Sequence, residues 1–282
     1  MLSICLVAVL LFVQDQPKPL PELKSFLAEV RKNLHSDSEL LSQYTYTEKR
    51  TVVRLDSNQK PQKTEVNVFE VIPGSPDRVG YRRQIVRDGT PLSPAELKKQ
   101  DQEFQKRSQD EQRKINQRTP ADRDKARADR LRHEEMVLDD VFGVYKTEIV
   151  GREDLKGRSV IQVKFTPQAG YKPKTDEGQR MPHVAGRAWI SEQDHQIARV
   201  ELTIIDPISI GFGILAKLQK GSSITAEREK FNDEIWLPRK NEITLNARVL
   251  IKGFNLKIMT EYSDHKKFSV DTILKFPELE KE

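Results

Sequence analysis

The chain has 282 residues, 36% hydrophobic and 32% charged, so it is long enough to bury a sizeable core and too apolar for a disordered composition. Its 48 Lys and Arg against 43 Asp and Glu leave a formal charge of +5, mixed in sign along the sequence, which argues against a dedicated nucleic-acid binder. A single cysteine, Cys5, excludes a disulfide framework within the chain.

Met1 to Val13 is apolar throughout and breaks at Gln14-Asp15-Gln16-Pro17. The run falls short of the roughly 20 apolar residues of a spanning helix and matches the core of a secretory signal, expected over 1–16. Two features are irregular for a signal: no Lys or Arg precedes the run, and no clean small-x-small cleavage site follows it. The alternative is a buried N-terminal core segment. Export would place the protein in a bacterial-type periplasm or outside the cell. Cys5 would leave with the signal, and with it any Cys-metal site or thiol nucleophile. Bulky Ile4 stands where a lipoprotein box requires a small residue, so lipidation at Cys5 is not expected.

After the stiff Pro17, Pro19 and Pro21, apolar residues at Leu20, Leu23, Leu27, Val30 and Leu34 predict one amphipathic helix, stopped at Ser36-Asp37-Ser38. Strand character begins at Tyr44 and continues to Leu55. It resumes over Thr64 to Val71 and again over Tyr81 to Val86, with polar turns between. This is an antiparallel meander.

Ser93-Pro94-Ala95-Glu96 then has the form of a helix cap with Pro at the first helical position, and Thr119-Pro120-Ala121-Asp122 repeats it. The two helices so predicted form an insertion at about 93–140, rich in charge of both signs and poor in apolar anchors. It reads either as a solvated, ion-paired surface or as a lid or partner-binding arm. The adjacent carboxylates Glu134-Glu135 and Asp139-Asp140 belong to this solvated face.

Strands return at Phe142 to Val150 and Val160 to Phe165, followed by a loop over 167–183. The hairpin Gly186-Arg187-Ala188-Trp189-Ile190, turning at Ser191 to His195, pairs with an alternating strand through Ala198, Val200, Leu202 and Ile204. A further hairpin runs over Ser223 to Lys230 and resumes at Ile235-Trp236-Leu237-Pro238. The last long strand alternates through Ile243, Leu245, Ala247, Val249 and Ile251. At Gly253 its apolar set switches parity, which marks a bulge, a bend or a hairpin turn.

Sequence signatures of catalysis fail one by one. His133-Glu134-Glu135 lacks the second histidine of H-E-x-x-H, because position 137 is Val137, and the five histidines share no ligand spacing. Gly211-Phe212-Gly213-Ile214-Leu215-Ala216 matches G-x-G-x-x-A, yet no βαβ alternation surrounds it. The expectation is a non-enzyme with no cofactor and no metal. The same stretch, from Ile208 to Leu218, reads as a loop plugging the core or as an apolar flap at a cavity mouth.

The order of elements, with Ala188-Trp189-Ile190-Ser191, Glu234-Ile235-Trp236-Leu237-Pro238 and Glu261-Tyr262-Ser263-Asp264, resembles the outer-membrane lipoprotein-sorting, or LolA-like, superfamily. The resemblance covers roughly residues 20 to 270 without the insertion, which with the chain's larger size sets it apart from the carriers proper. It implies an α+β, mainly antiparallel fold: a strongly curved, unclosed β-barrel with an N-terminal helix, forming a single domain over 20–282. It also implies an apolar cavity that takes the acyl chain of a lipid or lipoprotein. On that reading Trp189, Ile190, Phe212, Ile214, Trp236 and Leu237 are the cavity candidates. The insertion at 93–140 would then meet an envelope protein partner. The alternative is a structural or protein-interaction module of the envelope that works through the charged arm.

Overall fold

A computed structural model describes residues 18–34, 40–75, 78–210, 216–249 and 252–267. The expected signal at 1–16 and the cluster Ser36-Asp37-Ser38 lie outside the described residues. Helix α1 spans Leu23–Asn33. The Glu22 carboxylate caps it, accepting from the backbone N–H groups of Lys24 at 2.9 Å and Ser25 at 2.7 Å. Those donors have no partner inside the helix, so the cap fixes where it starts. Leu20, expected within the helix, precedes the cap and is 48% exposed.

The strands follow as β1 (Tyr44–Leu55), β2 (Pro61–Ile72), β3 (Tyr81–Arg87) and β4 (Thr90–Pro91). After two helices come β5 (Tyr145–Leu155), β6 (Arg158–Pro167), a short 3-10 helix (Gly178–His183), β7 (Val184–Ser191) and β8 (Ile197–Ile204). The chain continues with β9 (Ile208–Ile210), β10 (Ala216–Leu218), β11 (Ser223–Phe231), β12 (Ile235–Val249) and β13 (Lys252–Lys267). All join one antiparallel sheet in the order β4-β3-β2-β1-β13-β12-β11-β8-β7-β6-β5, with β10 and β9 added beside β12. The two ends of that order are edges, so the barrel is unclosed, a strongly curved half-barrel. Register shifts at Thr45/Thr47, Val68/Phe69, Ile149/Gly151, Trp189/Ile190 and Glu227/Arg228 supply the bulges by which strands bend.

Helices α2 (Pro94–Asn116) and α3 (Pro120–Val144) begin at the two capping boxes, Ser93 with Glu96 and Thr119 with Asp122. They connect β4 to β5, which lie at opposite edges of the sheet, so the charged pair leads from one rim of the half-barrel to the other. Phe142-Gly143-Val144, expected in a strand, form the last turn of α3, and β5 starts only at Tyr145. No Gly-Pro or polar punctuation separates the two elements, so the change of period was invisible. The expected loop at 167–183 also carries the 3-10 helix at its end. The parity switch near Gly253 falls where one strand gives way to the next: β12 ends at Val249, and Gly253, near the start of β13, pairs antiparallel with Arg248.

Directly opposed residues in an antiparallel ladder share a face. One row of such pairs crosses the sheet as Ile149, Val163, Ala188, Val200, Ala226, Asn241, Thr260, Arg50 and Asn67. It is apolar from β5 to β11 and polar from β12 to β2. Helix α1 lies over the apolar part, where Phe26 and Val30 pack on Ile161, Val163, Ala188 and Ile190.

Candidate functional site

The apolar end of this face does not fill completely. A cavity of about 420 Å³ lies between the sheet, α1, the end of α3 and the 3-10 helix. Helix α1 contributes Leu27, Val30 and Leu34, spaced at one helical turn so that all three face the sheet. Val163 and Phe165 of β6, Ala188 and Ile190 of β7, and Val200 and Leu202 of β8 form its floor, each pair two residues apart as a strand requires. Val141, Phe142 and Met181 close the side. The polar groups that reach the lining are few: Tyr145, Thr147, Glu177 and Arg180. The Tyr145 hydroxyl donates to the Met181 carbonyl at 2.9 Å, and burial pushes its pKa up to about 12, so it stays neutral.

The side wall is latched by a buried carboxylate. Asp140, expected on a solvated face, is fully buried. It accepts from the Tyr171 hydroxyl at 3.0 Å, the Lys174 N–H at 2.9 Å, the Thr175 N–H at 2.8 Å and the Thr175 hydroxyl at 2.6 Å. Burial alone would raise its pKa, but these four donors outweigh it and hold the carboxyl below the usual range. Gly178 passes so close to the Asp140 carboxylate, and Gly143 to the Tyr171 ring, that a Cβ on either would collide. Outside the latch, Arg31 of α1 pairs with Glu135 at 2.7 Å and Asp139 at 2.8 Å, Lys174 pairs with Asp139 at 3.2 Å, and His133 faces Glu177 at 3.4 Å.

Ile190 lines the cavity, but its neighbour Trp189 points to the opposite face of the sheet. There the Trp189 indole donates to Glu153 at 2.8 Å, lies under the Arg199 guanidinium at 5.0 Å, and packs with Val160, Ala198 and Trp236. Trp236 donates to Asp194 at 3.0 Å, and Asp194 also pairs with Lys230 at 2.8 Å. Leu237 belongs to a third cluster with Tyr44 and Ile235. Successive strand residues alternate faces, so Trp189 with Ile190, or Trp236 with Leu237, could not have shared one surface. Phe212 and Ile214 lie outside the described residues. The lining residues missed from sequence, Val163, Phe165, Ala188, Val200 and Leu202, carried a readable signal in that same alternation.

Among the described residues, no three His, Cys, Asp or Glu side chains gather to hold a metal ion. No described helix is long and apolar enough to cross a membrane. No protein-family model matches the sequence, and comparison with curated proteins gives no match. Among solved structures, the chain is similar to a proposed outer membrane lipoprotein-sorting protein domain from Vibrio parahaemolyticus. That likeness has 11% identity over 85% of this chain and 90% of that one, with a TM-score of 0.35. It is also similar to a DUF1329 family protein from Desulfovibrio piger, at 11% identity over 89% and 94% of the two chains and a TM-score of 0.30. A LolA superfamily protein from Nitrosomonas europaea gives 8% identity over 88% and 94%, with a TM-score of 0.29.

Proposed function

We propose that this protein binds the acyl chain of a lipid or lipoprotein in the cavity beneath α1, acting as a carrier or sensor in the cell envelope. The observation that carries the reading is the lining: about 420 Å³ enclosed almost wholly by aliphatic and aromatic side chains. An alkyl chain needs no polar partner there. Each methylene taken from water contributes about 0.8 kcal/mol, so a chain of ordinary length supplies useful affinity by burial alone. The volume also falls in the range of small-molecule sites, roughly 300–1,000 Å³. The apolar segment at 1–16, read as an export signal, supports an envelope location.

Mass spectrometry of lipid extracted from the purified protein, with displacement of a dansylated fatty acid by palmitate, tests the reading. Co-purified acyl lipid and a binding loss in Leu202→Trp, which fills the cavity, are expected. A fold-competent protein that binds no acyl probe would overturn it.

A second reading, an interaction module, is favoured by the arm. Phe104 is the one buried side chain of α2, and residues 117–133 of α3 and its approach are exposed throughout. Crosslinking at the apex Gln117–Thr119 in envelope extract, followed by identification of the captured protein, tests that role. Capture that persists when Arg118, Arg123 and Arg127 are changed to Ala would count against a charged docking surface.

A further inference from the structure

We infer that the ligand of the cavity is an acyl chain with an anionic end group, and that Arg180 selects it; this rests on the acyl-binding reading above. Arg180 lies in the 3-10 helix Gly178–His183, lines the cavity together with Met181, and is otherwise exposed to solvent. Several other charged side chains near this mouth have partners among the described residues. Arg31 is held by Glu135 and Asp139, Lys174 by Asp139, and Glu177 faces His133 on α3. Among the described residues the Arg180 guanidinium makes no hydrogen bond or ion pair, although its charge reaches Glu177 from a distance and helps to lower that carboxyl.

An exposed arginine lining an apolar cavity, without a side-chain hydrogen bond or ion pair among the described residues, is complementary to one kind of molecule: an alkyl chain inside, with a carboxylate or phosphate at the exit. The planar fork of Arg meets either anion with two parallel hydrogen bonds, which a neutral alcohol or ester cannot match. The neighbouring polar lining, a neutral Tyr145 hydroxyl already donating to Met181, offers no competing cation. The chain would therefore insert first, with its charged end left at Arg180.

The test uses the full chain, with displacement of a dansylated undecanol by four competitors: palmitate, lysophosphatidylglycerol, hexadecanol and methyl palmitate. The two anionic lipids should bind at least about tenfold more tightly than the two neutral ones. Arg180→Gln should erase that gap, while Lys172→Gln, an exposed cation that does not line the cavity, should preserve it. The tighter of palmitate and lysophosphatidylglycerol then identifies the end group as carboxylate or phosphate. Equal binding of anionic and neutral lipids, or a gap that survives Arg180→Gln, would overturn the inference while leaving acyl binding intact. Failure of all four competitors to displace the probe would overturn both.

Discussion

Along one row of the same face, the two halves of the sheet have opposite characters. Under α1, the rows of β5 to β8 carry Ile149, Val163, Ala188 and Val200, and the helix, the latch and the 3-10 turn cover them. Across β12, β13, β1 and β2 the same row reads Asn241, Thr260, Arg50 and Asn67. There Asn241 donates to the Tyr262 hydroxyl at 3.0 Å, Arg82 pairs with Glu48 at 2.7 Å, and the Arg50 Nε is buried without a hydrogen bond. Along this row one half is apolar and covered by α1 and the other is polar, whereas the neighbouring row on the same face stays apolar across both halves, through Leu202, Ile224, Ile243, Ile258 and Val52.

The difference is largest where α1 meets the sheet. Phe26→Ala removes a side chain only 3% exposed and should cost about 3–5 kcal/mol in urea unfolding. A cost near zero would mean that α1 does not hold the apolar half. Next in size is the latch: Asp140→Ala leaves the amides of Lys174 and Thr175 and the Thr175 hydroxyl unsatisfied, and about 3 kcal/mol should be lost. Faster hydrogen exchange at Thr175, with acyl binding weakened, is the expected signature; unchanged exchange would contradict the latch.

The polar half should respond more mildly. Tyr81 donates to Asp101 of α2 at 2.7 Å and stacks on Phe104 with ring centres 3.9 Å apart, while Gln100 bonds the backbone of Gln84. Tyr81→Phe keeps the stack and should cost about 1 kcal/mol, read as faster exchange along α2 with no change in acyl binding. A separate effect is expected at acid pH. Arg152, with Lys18 and Ser159, holds the Glu192 carboxyl down at about 2 against the opposing effect of burial. A lowered carboxyl stabilises the fold above its ordinary range, and that contribution is lost as pH falls from about 4.5 towards 2. Glu192→Gln should flatten that acid limb of the stability curve, and an unaltered limb would place the acid sensitivity elsewhere, with Asp140 the next group to test.

Much of this arrangement was written locally. The caps at Ser93 and Thr119, the alternation of β8 and β12, and the turn residues Asp88-Gly89 all act over a few positions and are legible in sequence. The cavity was legible only in its periodicities: Ile190 carried the right parity, whereas Trp189 and Trp236 enter through the motifs of the resemblance and face elsewhere. Asp140 could not be read at all. Its donors lie more than 30 residues away in chain, and a carboxylate on a charge-rich helix looks solvated until Tyr171 to Thr175 fold against it.

Methyl-resolved NMR during titration with palmitate reads where the ligand sits, because both halves of the sheet carry reporter methyls. Shifts are expected at Val163, Ile190, Val200 and Leu202 beneath α1, with Val52, Ile243 and Ile258 on the far half unmoved. Shifts confined to the far half, or none anywhere on saturation, would contradict acyl binding beneath α1.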